Sequence, residues 1–317
     1  MQNEGITVLS LCDGMSCGHI ALDRAGIKVK KYYASEIKDI GIKVTKANYP
    51  DTIHIGDVNK VSYSNGVLRT EYGIFDVDNI DLVIFGSPCQ SFSIAMRKNK
   101  RTGLQDKNKS GLFLECYRIL KEVKPRWFLV ENVASMKNVD RNTISEMLGV
   151  EPILIDSATV SPLMRKRYYW TNISNIIIPR KNITLQMILE EGFTNREKGH
   201  CLMTSDSRPL KTSVKMFYRY YCKGFGNLIF KDEEHYKKCC DYYEKHWKGM
   251  KVKDIPTNET DIFDGVRYMN QRELERCQTV PEGYTSCLTR NETADVLGDG
   301  WTVDVIATIF LGMKSND

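Results

Sequence analysis

A cysteine and a glutamate in this sequence have the residue types and local settings that covalent catalysis requires. Cys89 follows the apolar run DLVIFG in the tight turn Ser87-Pro88-Cys89-Gln90-Ser91, and Glu131 lies near the end of the next such run, WFLVEN. A thiol nucleophile and an acid at the ends of two neighbouring strands can act together on one substrate. Most cysteines are small packing residues, and spacing alone leaves that interpretation of Cys89 open.

Two arginines add positive charge that such a thiol would use. Arg165 and Arg167 alternate in the segment Met164-Arg165-Lys166-Arg167-Tyr168. Nearby positive charge favours the reactive thiolate over the thiol, and guanidinium groups also bind carbonyl and phosphate oxygens. We therefore expect both arginines at the reactive site.

A second set of residues follows the first strand-like run, ITVLSL. The turn Cys12-Asp13-Gly14-Met15-Ser16-Cys17-Gly18 opens a helix, and it lacks the GxGxxG pattern of dinucleotide sites. The backbone can approach a ligand closely at Gly14 and Gly18, and a helix N-terminus can bind a carboxylate. Asp13 would bind an amine, and the methionine end of S-adenosylmethionine carries both groups.

Acids at the ends of the next two strands extend this set toward a nucleoside. Glu36 ends the second strand, where an acid can bind ribose hydroxyls, and Gly56-Asp57-Val58 ends the third. Asp57 would accept a hydrogen bond from an adenine amine, and Val58 would pack on the ring. Acids at strand ends are common, so the prediction of a nucleoside ligand depends on the three sites together.

The charge distribution indicates a polyanionic partner. The formal net charge is +5, from 45 Lys and Arg against 40 Asp and Glu. Residues 97–109 oppose the single acid Asp106 with six cations, which are Arg97, Lys98, Lys100, Arg101, Lys107 and Lys109. A solvated loop is the plain alternative for this segment.

Composition also limits the compartment. The 317-residue sequence has no apolar run of about 18 residues, so we expect no membrane span. The first residues, MQNEG, lack the features of a secretory signal, and ten cysteines without such a signal are expected to be free thiols. These features predict a cytosolic protein.

Strand-like and helix-like segments alternate up to about residue 176, which predicts a doubly wound α/β sheet. Segment 110–123 puts its apolar residues on one helical face, Thr143 and Glu146 are spaced as a capping box, and PILID and RYYWTNI are predicted late strands. Residues 195–265 lack a clear period, and helices are predicted again at 271–278 and 301–312. We therefore predict a main domain of residues 1–175 and 269–317 with a smaller substrate-facing insertion at 176–268.

The insertion offers aromatic and basic residues but no metal pattern. Tyr218, Arg219 and Lys223 fit contact with DNA, and a plain amphipathic strand is the equal alternative. No paired CxxC or HxxxH spacing joins its Cys and His residues, so no metal is predicted. Those residues are His200, Cys201, Cys222, His235, Cys239, Cys240 and His246.

The order of these motifs resembles the DNA cytosine-5 methyltransferases along nearly the whole chain. DGMSCG, SPCQS, ENV, RKR, QRELERCQTVPEGY and LGDGWTVDV follow one another as in that family. The segment GVEPILIDSATVSPLMRKRYYWTN is more similar to the animal de novo branch than to typical restriction-modification enzymes. The resemblance implies a Rossmann-like methyltransferase sheet with a small inserted target-recognition domain.

The resemblance also implies roles for individual residues. Cys89 would be the nucleophile, Glu131 the acid at N3 of cytosine, and Arg165 and Arg167 the contacts to base and phosphate. The implied contacts to S-adenosylmethionine are Cys12, Asp13, Gly14, Met15, Glu36, Ile37, Asp57, Val58, Pro88, Trp301 and Val303. The expected DNA contacts are Gln90, Ser91, Arg97, Lys98, Lys100, Arg101, Arg219 and Lys223.

Three positions depart from the family pattern. Cys12 stands where the family usually has a phenylalanine that covers the adenine, so the alternatives are a lower cofactor affinity or stacking by another side chain. Cys17 lies in the glycine-rich turn, and Asp299 stands where many members have asparagine. None of the three removes a group that the chemistry needs.

The implied reaction gives the thiol and the acid separate tasks. Addition of the Cys89 thiolate to C6 of cytosine would make C5 nucleophilic, and Glu131 would stabilise the change by hydrogen bonding at N3. The base must be extruded from duplex DNA to be reached, and S-adenosylhomocysteine would be the product. The alternatives are a tRNA methyltransferase, whose Cys-Phe-Thr signature is missing from the sequence, and a silent DNA-binding relative. A monomer is expected, with self-association left open.

Overall fold

The structure is a computed structural model of the chain, and it describes residues 5–88, 92, 103–105, 111–203, 206–250, 254–256 and 261–316. The chain forms two compact units. Unit 1 consists of Met1–Asp156, Lys166–Pro179 and Val303–Asp317, and unit 2 consists of Ser157–Arg165 and Arg180–Thr302.

Unit 1 alternates strands and helices as the sequence predicts. Its strands are β1 (Ile6–Leu11), β2 (Val29–Ser35), β3 (Ile53–His54), β4 (Ser62–Ser64), β5 (Val67–Thr70), β6 (Gly73–Asp76), β7 (Leu82–Gly86), β8 (Trp127–Val133), β9 (Ile153–Asp156) and β11 (Lys166–Thr171). Its helices are α1 (Cys17–Arg24), α2 (Asp39–Asn48), α3 (Gly111–Val123), α4 (Asn138–Leu148) and α9 (Val303–Leu311).

Seven strands of unit 1 form one sheet in the order β3-β2-β1-β7-β8-β11-β9. The first five are parallel, so the chain leaves each of them at the same edge, while β11 is antiparallel to both β8 and β9. Parallel strands covered on both faces need continuous apolar sequence, and β7 has four fully buried residues from Leu82 to Phe85. The predicted α/β methyltransferase sheet is confirmed.

Helices cover this sheet through the faces that the sequence indicates. Helix α3 buries Phe113, Cys116, Ile119 and Leu120, which lie on the predicted apolar face. Helix α1 packs against α9 within unit 1. Helix α4 begins at Asn138, so the predicted capping box is wrong: Thr143 lies inside the helix and donates to the Val139 carbonyl.

One stretch, Arg290–Lys314, meets the length and hydropathy criteria for a membrane span, and 67% of its most apolar window is buried inside the protein. It contains two helices, α8 (Arg290–Asp299) and α9, with Gly300–Thr302 between them. Buried core helices meet the same criteria, so the stretch carries no argument for a membrane.

Unit 2 contains helices where the sequence suggested irregular structure. Its helices are α5 (Ser213–Lys223), α6 (Glu233–His246), α7 (Gln271–Cys277) and α8, and its short strands are β10 (Leu163–Met164), β12 (Gly199–His200), β13 (Leu228–Ile229) and β14 (Arg267–Tyr268). The amphipathic-strand alternative for residues 218–223 is therefore wrong. Thr212 caps α5, Asp232 caps α6, and an aromatic core around Phe217, Phe263 and Trp247 explains their formation.

Helices α7 and α8 belong to unit 2, whereas the sequence analysis assigned residues 269–317 to the main domain. Glu275 of α7 is fully buried, and it accepts hydrogen bonds from the backbone of Gly283 and from the backbone and hydroxyl of Thr285. The side chain of Arg290 binds the carbonyls of Met269 and Asp206. These buried polar contacts attach both helices to the second unit.

Candidate active site

Glu131 and Arg167 form an ion pair at the edge of the sheet where β8 ends. The Glu131 Oε1 atom lies 2.9 Å from the Arg167 Nε atom, and the two side chains are only 9% and 15% exposed. Glu131 is in register with Gly86 on β7, three residues before Cys89. The sequence prediction that the acid lies at the edge where the Cys89 turn begins thus agrees with the strand register.

The turn that leads to Cys89 is held by the residue after the acid. The buried Asn132 side chain donates to the Ser87 Oγ atom (3.2 Å) and to the Ser87 carbonyl (3.4 Å). Pro88 is exposed. Cys89, Gln90 and Ser91 lie outside the described residues, as do Arg97, Lys98, Lys100 and Arg101.

Arg165 has different partners from Arg167, although only one residue separates them. Its guanidinium group is buried in unit 2 and donates to the carbonyls of Gly298 (3.2 Å) and Gly300 (2.8 Å). These bonds fix the LGDGW segment just before Trp301, which is half-buried. In this structure Arg165 therefore organises the last motif, and Arg167 is paired with the acid.

The loop after β1 is a strained turn built around a carboxylate. Cys12, Gly14 and Ser16 have φ values of 54°, 64° and 60°, which are uncommon for the two residues other than glycine. The Asp13 carboxylate accepts hydrogen bonds from the Ser16 and Tyr32 hydroxyls, at 2.5 and 2.8 Å. Burial, reinforced by the negative charge of Glu36, raises the pKa of Asp13. This loop can offer a carboxylate to an amine.

Glu36 connects the first loop to the end of β2. Its carboxylate accepts from the backbone N–H of Gly14 at 2.7 Å and from those of Ile37 and Lys38, both at 2.8 Å. The next residue, Ile37, is an exposed apolar side chain at 69% relative accessibility. The first two predicted acids are thus brought together.

Asp57 follows β3 on the neighbouring strand of the sheet. Its Oδ1 atom accepts from the backbone and side-chain nitrogens of Asn59, and no bond to Oδ2 is found within the described part of the chain. Val58, Met15 and Val303 are buried at 4%, 0% and 0% exposure, so their side chains pack in the interior.

Two glycines of the first loop have different roles. No heavy atom lies within 4 Å of the position that a Cβ atom would take on Gly14, so the space there is open. A Cβ atom on Gly18 would lie 2.2 Å from the Ile84 side chain, so Gly18 serves the packing of α1 on β7 and not a ligand. Open space at Gly14 between two acids, with Ile37 and Asp57 along the same edge, fits an amino acid joined to a nucleoside.

The expected DNA contacts that the structure describes lie on α5. Lys223 is exposed, Arg219 is half-buried, and Lys215 precedes them at a spacing of four residues. No group of three or more His, Cys, Asp or Glu arranged to bind a metal occurs among the described residues.

Sequence reasoning missed Asn132, Ser16 and Tyr32. The available signal was the position of Asn132 directly after Glu131, and that of Ser16 three residues after Asp13. Tyr32 gave no such signal, since its contact with Asp13 joins positions 19 residues apart.

The first half of the chain is similar to known DNA methylases. Residues 6–150 match the family model of C-5 cytosine-specific DNA methylases. A type II methyltransferase of Neisseria lactamica, M.NlaIV, is 34% identical over 150 residues, which cover 46% of this chain and 32% of that relative. A type II methyltransferase of Lactococcus lactis, M1.ScrFI, is 27% identical over 309 residues, which cover 89% of this chain and 71% of that relative.

The fold is that of solved methyltransferases. The crystal structure of a DNMT2 variant from Spodoptera frugiperda has a TM-score of 0.64 at 20% identity, covering 96% of this chain and 99% of that one. The chain is thus similar to the C-5 cytosine-specific DNA methylases over its first half, and to the type II methyltransferase M1.ScrFI over most of its length.

Proposed function

We propose that this protein transfers a methyl group from S-adenosylmethionine to carbon 5 of cytosine in duplex DNA. The observation that carries the proposal is the Glu131–Arg167 pair, at 2.9 Å, in register with the strand that leads to Cys89. A buried acid held by a guanidinium group suits hydrogen bonding to a heterocyclic base. The relatives supply the methyltransferase class, and their names describe type II enzymes.

Cys89 and Glu131 would divide the activation of cytosine between them. The Cys89 thiolate adds to C6, and Glu131 stabilises the resulting negative charge through N3. Once C5 carries the new group, loss of the C5 proton to a base lets the bond between sulfur and C6 break. Arg167 keeps the carboxyl of Glu131 oriented through this sequence, because the ion pair fixes one of its two oxygens.

The residues that would hold the cofactor are Asp13, Glu36 and Asp57. Asp13 would bind its amine, Glu36 its ribose hydroxyls, and Asp57 its adenine amine. When bound, S-adenosylmethionine supplies an electrophilic methyl group. The backbone of Gly14 is fixed by Glu36, so the loop is formed before a ligand arrives.

Unit 2 would recognise the DNA target, and we propose residues 176–268, of which all after Pro179 belong to unit 2, as the target-recognition region. Helix α5 contains three basic residues and no acidic residue among its eleven positions, which suits a polyanion. Base flipping is required because C6 cannot be reached inside a duplex. Since the two relatives are bacterial, the same proposal predicts a cytoplasmic enzyme acting on DNA.

A methyl-transfer assay with tritiated cofactor, offering duplex DNA and tRNA side by side, tests the proposal. We expect label at cytosine C5 of DNA only, and none with Cys89→Ala. Label on tRNA alone would replace the DNA assignment with the RNA alternative. If neither DNA nor tRNA were labelled, the result would favour the alternative of a silent DNA-binding relative.

The covalent step has a separate test. Duplex DNA that contains 5-fluorocytosine should form a stable adduct with the wild type, because fluorine at C5 blocks the final elimination. The adduct should appear as a shifted band under denaturing conditions and be missing in Cys89→Ala. A wild type that methylates cytosine but forms no adduct would contradict nucleophilic catalysis.

A further inference from the structure

An antiparallel sheet of β4, β5 and β6 lies between the end of β3 and the start of β7 in unit 1. It is fixed to α3 at two points. The Arg118 guanidinium group donates to the Val61 carbonyl at 2.8 Å, and the Tyr63 backbone N–H donates to the Glu122 carboxylate at 2.9 Å. Leu68 on the middle strand is fully buried in the core of unit 1. The sheet is therefore held rigidly on the main domain.

The two-residue turn between β5 and β6 contacts the loop that follows β3. Glu71 accepts from the Asp57 backbone N–H at 3.3 Å and forms an ion pair with Lys60. The ring of Tyr72 comes within 3.2 Å of the position that a Cβ atom would take on Gly56. This turn thus lies against the Gly56-Asp57 loop, which is the candidate site for adenine.

Tyr72 is exposed although it lies on this fixed turn. Its relative accessibility is 63%, so most of the side chain is open to a ligand. The loop after β1 cannot supply a ring there, because Cys12 is a small side chain packed against the core. Ile37 is the exposed apolar residue at the end of the adjacent strand β2.

We infer that Tyr72 is the aromatic side chain that contacts the adenine ring of the cofactor. This inference rests on the proposed function, because it assumes an S-adenosyl ligand at the three acids. An adenine whose amine binds Asp57 would lie beside Gly56, and the ring of Tyr72 comes within 3.2 Å of the position that a Cβ atom would take on that glycine. Offset stacking of two aromatic rings adds affinity beyond the area that they bury. Tyr72 is thus a binding residue for the cofactor, supplied by a hairpin and not by the first loop.

Binding of S-adenosylhomocysteine by isothermal titration calorimetry tests the inference without any turnover. We expect Tyr72→Ala to weaken binding about 3- to 10-fold, and Tyr72→Phe to bind within about 2-fold of the wild type. Tyr72→Leu separates stacking from simple filling of space, and it should resemble Tyr72→Ala. Ile74→Ala, at a residue 70% exposed on the same hairpin, is the matched control and should not change binding.

A second ligand locates the contact on the cofactor. 5′-Methylthioadenosine contains the adenine but lacks the amino acid, so Tyr72→Ala should weaken its binding by the same factor. Equal binding of S-adenosylhomocysteine by wild type and Tyr72→Ala would overturn the inference while leaving the proposed function intact. A wild type that binds neither compound would instead contradict the proposed cofactor.

Discussion

Glu131 and Arg167 meet diagonally across an antiparallel pair of strands. In the β8–β11 ladder Glu131 faces Tyr169 and Arg167 faces Val133, so the ion pair joins neighbours two positions apart on one face. Such diagonal neighbours lie within reach of a long side chain such as arginine. The position of the Glu131 side chain is therefore set by the register of β8 and β11 and not by a loop.

Replacing the carboxyl group of Glu131 with an amide should remove most of the activity. General acid catalysis contributes about 10²- to 10⁴-fold, so Glu131→Gln is expected to lower the single-turnover rate of methyl transfer by that order. Arg167→Lys should have a smaller effect of about 10-fold, because lysine keeps the charge without the planar geometry of the guanidinium group. S-adenosylhomocysteine affinity, measured in parallel, should stay unchanged in both.

Arg126→Lys provides the control for that series. Arg126 is exposed just before the opposite end of β8, where it stacks over Trp127 with 4.0 Å between the guanidinium carbon and the ring centre. Activity near that of the wild type is expected. If Glu131→Gln retained full activity, the role assigned to the acid would be wrong.

Asn132 should affect methyl transfer and stability through the turn at Ser87 that its side chain holds. Asn132→Ala removes both donors to Ser87 and the Oδ1 acceptor of the Val133 N–H, at 2.8 Å. We expect roughly 10-fold slower methyl transfer and a loss of about 1–3 kcal/mol in unfolding free energy, measured by denaturant titration. Asn132→Asp keeps an acceptor but loses the donors, so an unchanged rate in that variant would show that the bonds to Ser87 do not position the turn.

The surroundings of His19 predict that the folded protein loses stability as the pH falls. Its ring is stacked between Tyr32 and Tyr49, with centroid distances of 4.5 and 3.8 Å, and its Nδ1 atom is buried without a hydrogen-bond partner among the described residues. Burial lowers the pKa of His19, and the nearby Asp23 only partly opposes this shift. The folded state therefore keeps the ring neutral below pH 6.5, where the unfolded chain binds a proton.

The stability that His19 contributes is complete above pH 6.5 and is lost as the pH falls toward the lowered folded pKa. Each pH unit in that window costs up to about 1.4 kcal/mol of unfolding free energy. His19→Phe keeps an aromatic ring in the stack and cannot be protonated. Thermal unfolding from pH 7 to 5 should thus show a smaller fall for His19→Phe than for the wild type, and parallel curves would refute the assignment.

The sequence predicted the sheet because its strands are continuous apolar runs that end in polar motifs. It failed in residues 195–265 for a physical reason. Helix α5 buries Val214, Phe217 and Tyr220, and two of its other tyrosines pack partly against the same core, so no clear period of apolar and polar types is visible. The partners of Arg165 could not be predicted from the sequence either, because Gly298 and Gly300 lie 133 and 135 residues further along the chain.

The lysines of α5 should contribute more to DNA binding than the lysines of α6. Lys215 and Lys223 form no ion pair within the described ranges, whereas Lys237 and Lys238 on α6 are paired with Glu233 and Glu234 at 2.8 and 2.7 Å. Lys215→Gln combined with Lys223→Gln should weaken duplex binding and reduce the slope of log K against log salt by about two. Lys237→Gln combined with Lys238→Gln is the matched control, and equal slopes for both double variants would contradict the prediction.

Lys198 should stabilise unit 2 through a cluster of carbonyls. Its ammonium group donates to the carbonyls of Ala158, Ser161 and Ile183, at 2.8, 3.0 and 2.6 Å. Lys198→Met leaves these oxygens without their donor and is expected to cost about 2 kcal/mol of unfolding free energy in a denaturant titration. Lys211→Met, at an exposed lysine of the same unit, should cost less than about 0.5 kcal/mol.

The reversed direction of β11 has a geometric consequence for the acid. A strand that ran parallel to β8 would begin at the opposite edge of the sheet, beside Trp127, and its first residue would lie about 13 Å along the strand from Glu131, given roughly 3.3 Å per residue. Since β11 runs the other way, its second residue reaches the glutamate directly. Arg167 can thus pair with this carboxylate because β11 is antiparallel to β8, and a rearranged gene that reversed β11 would move residue 167 to the opposite edge of the sheet.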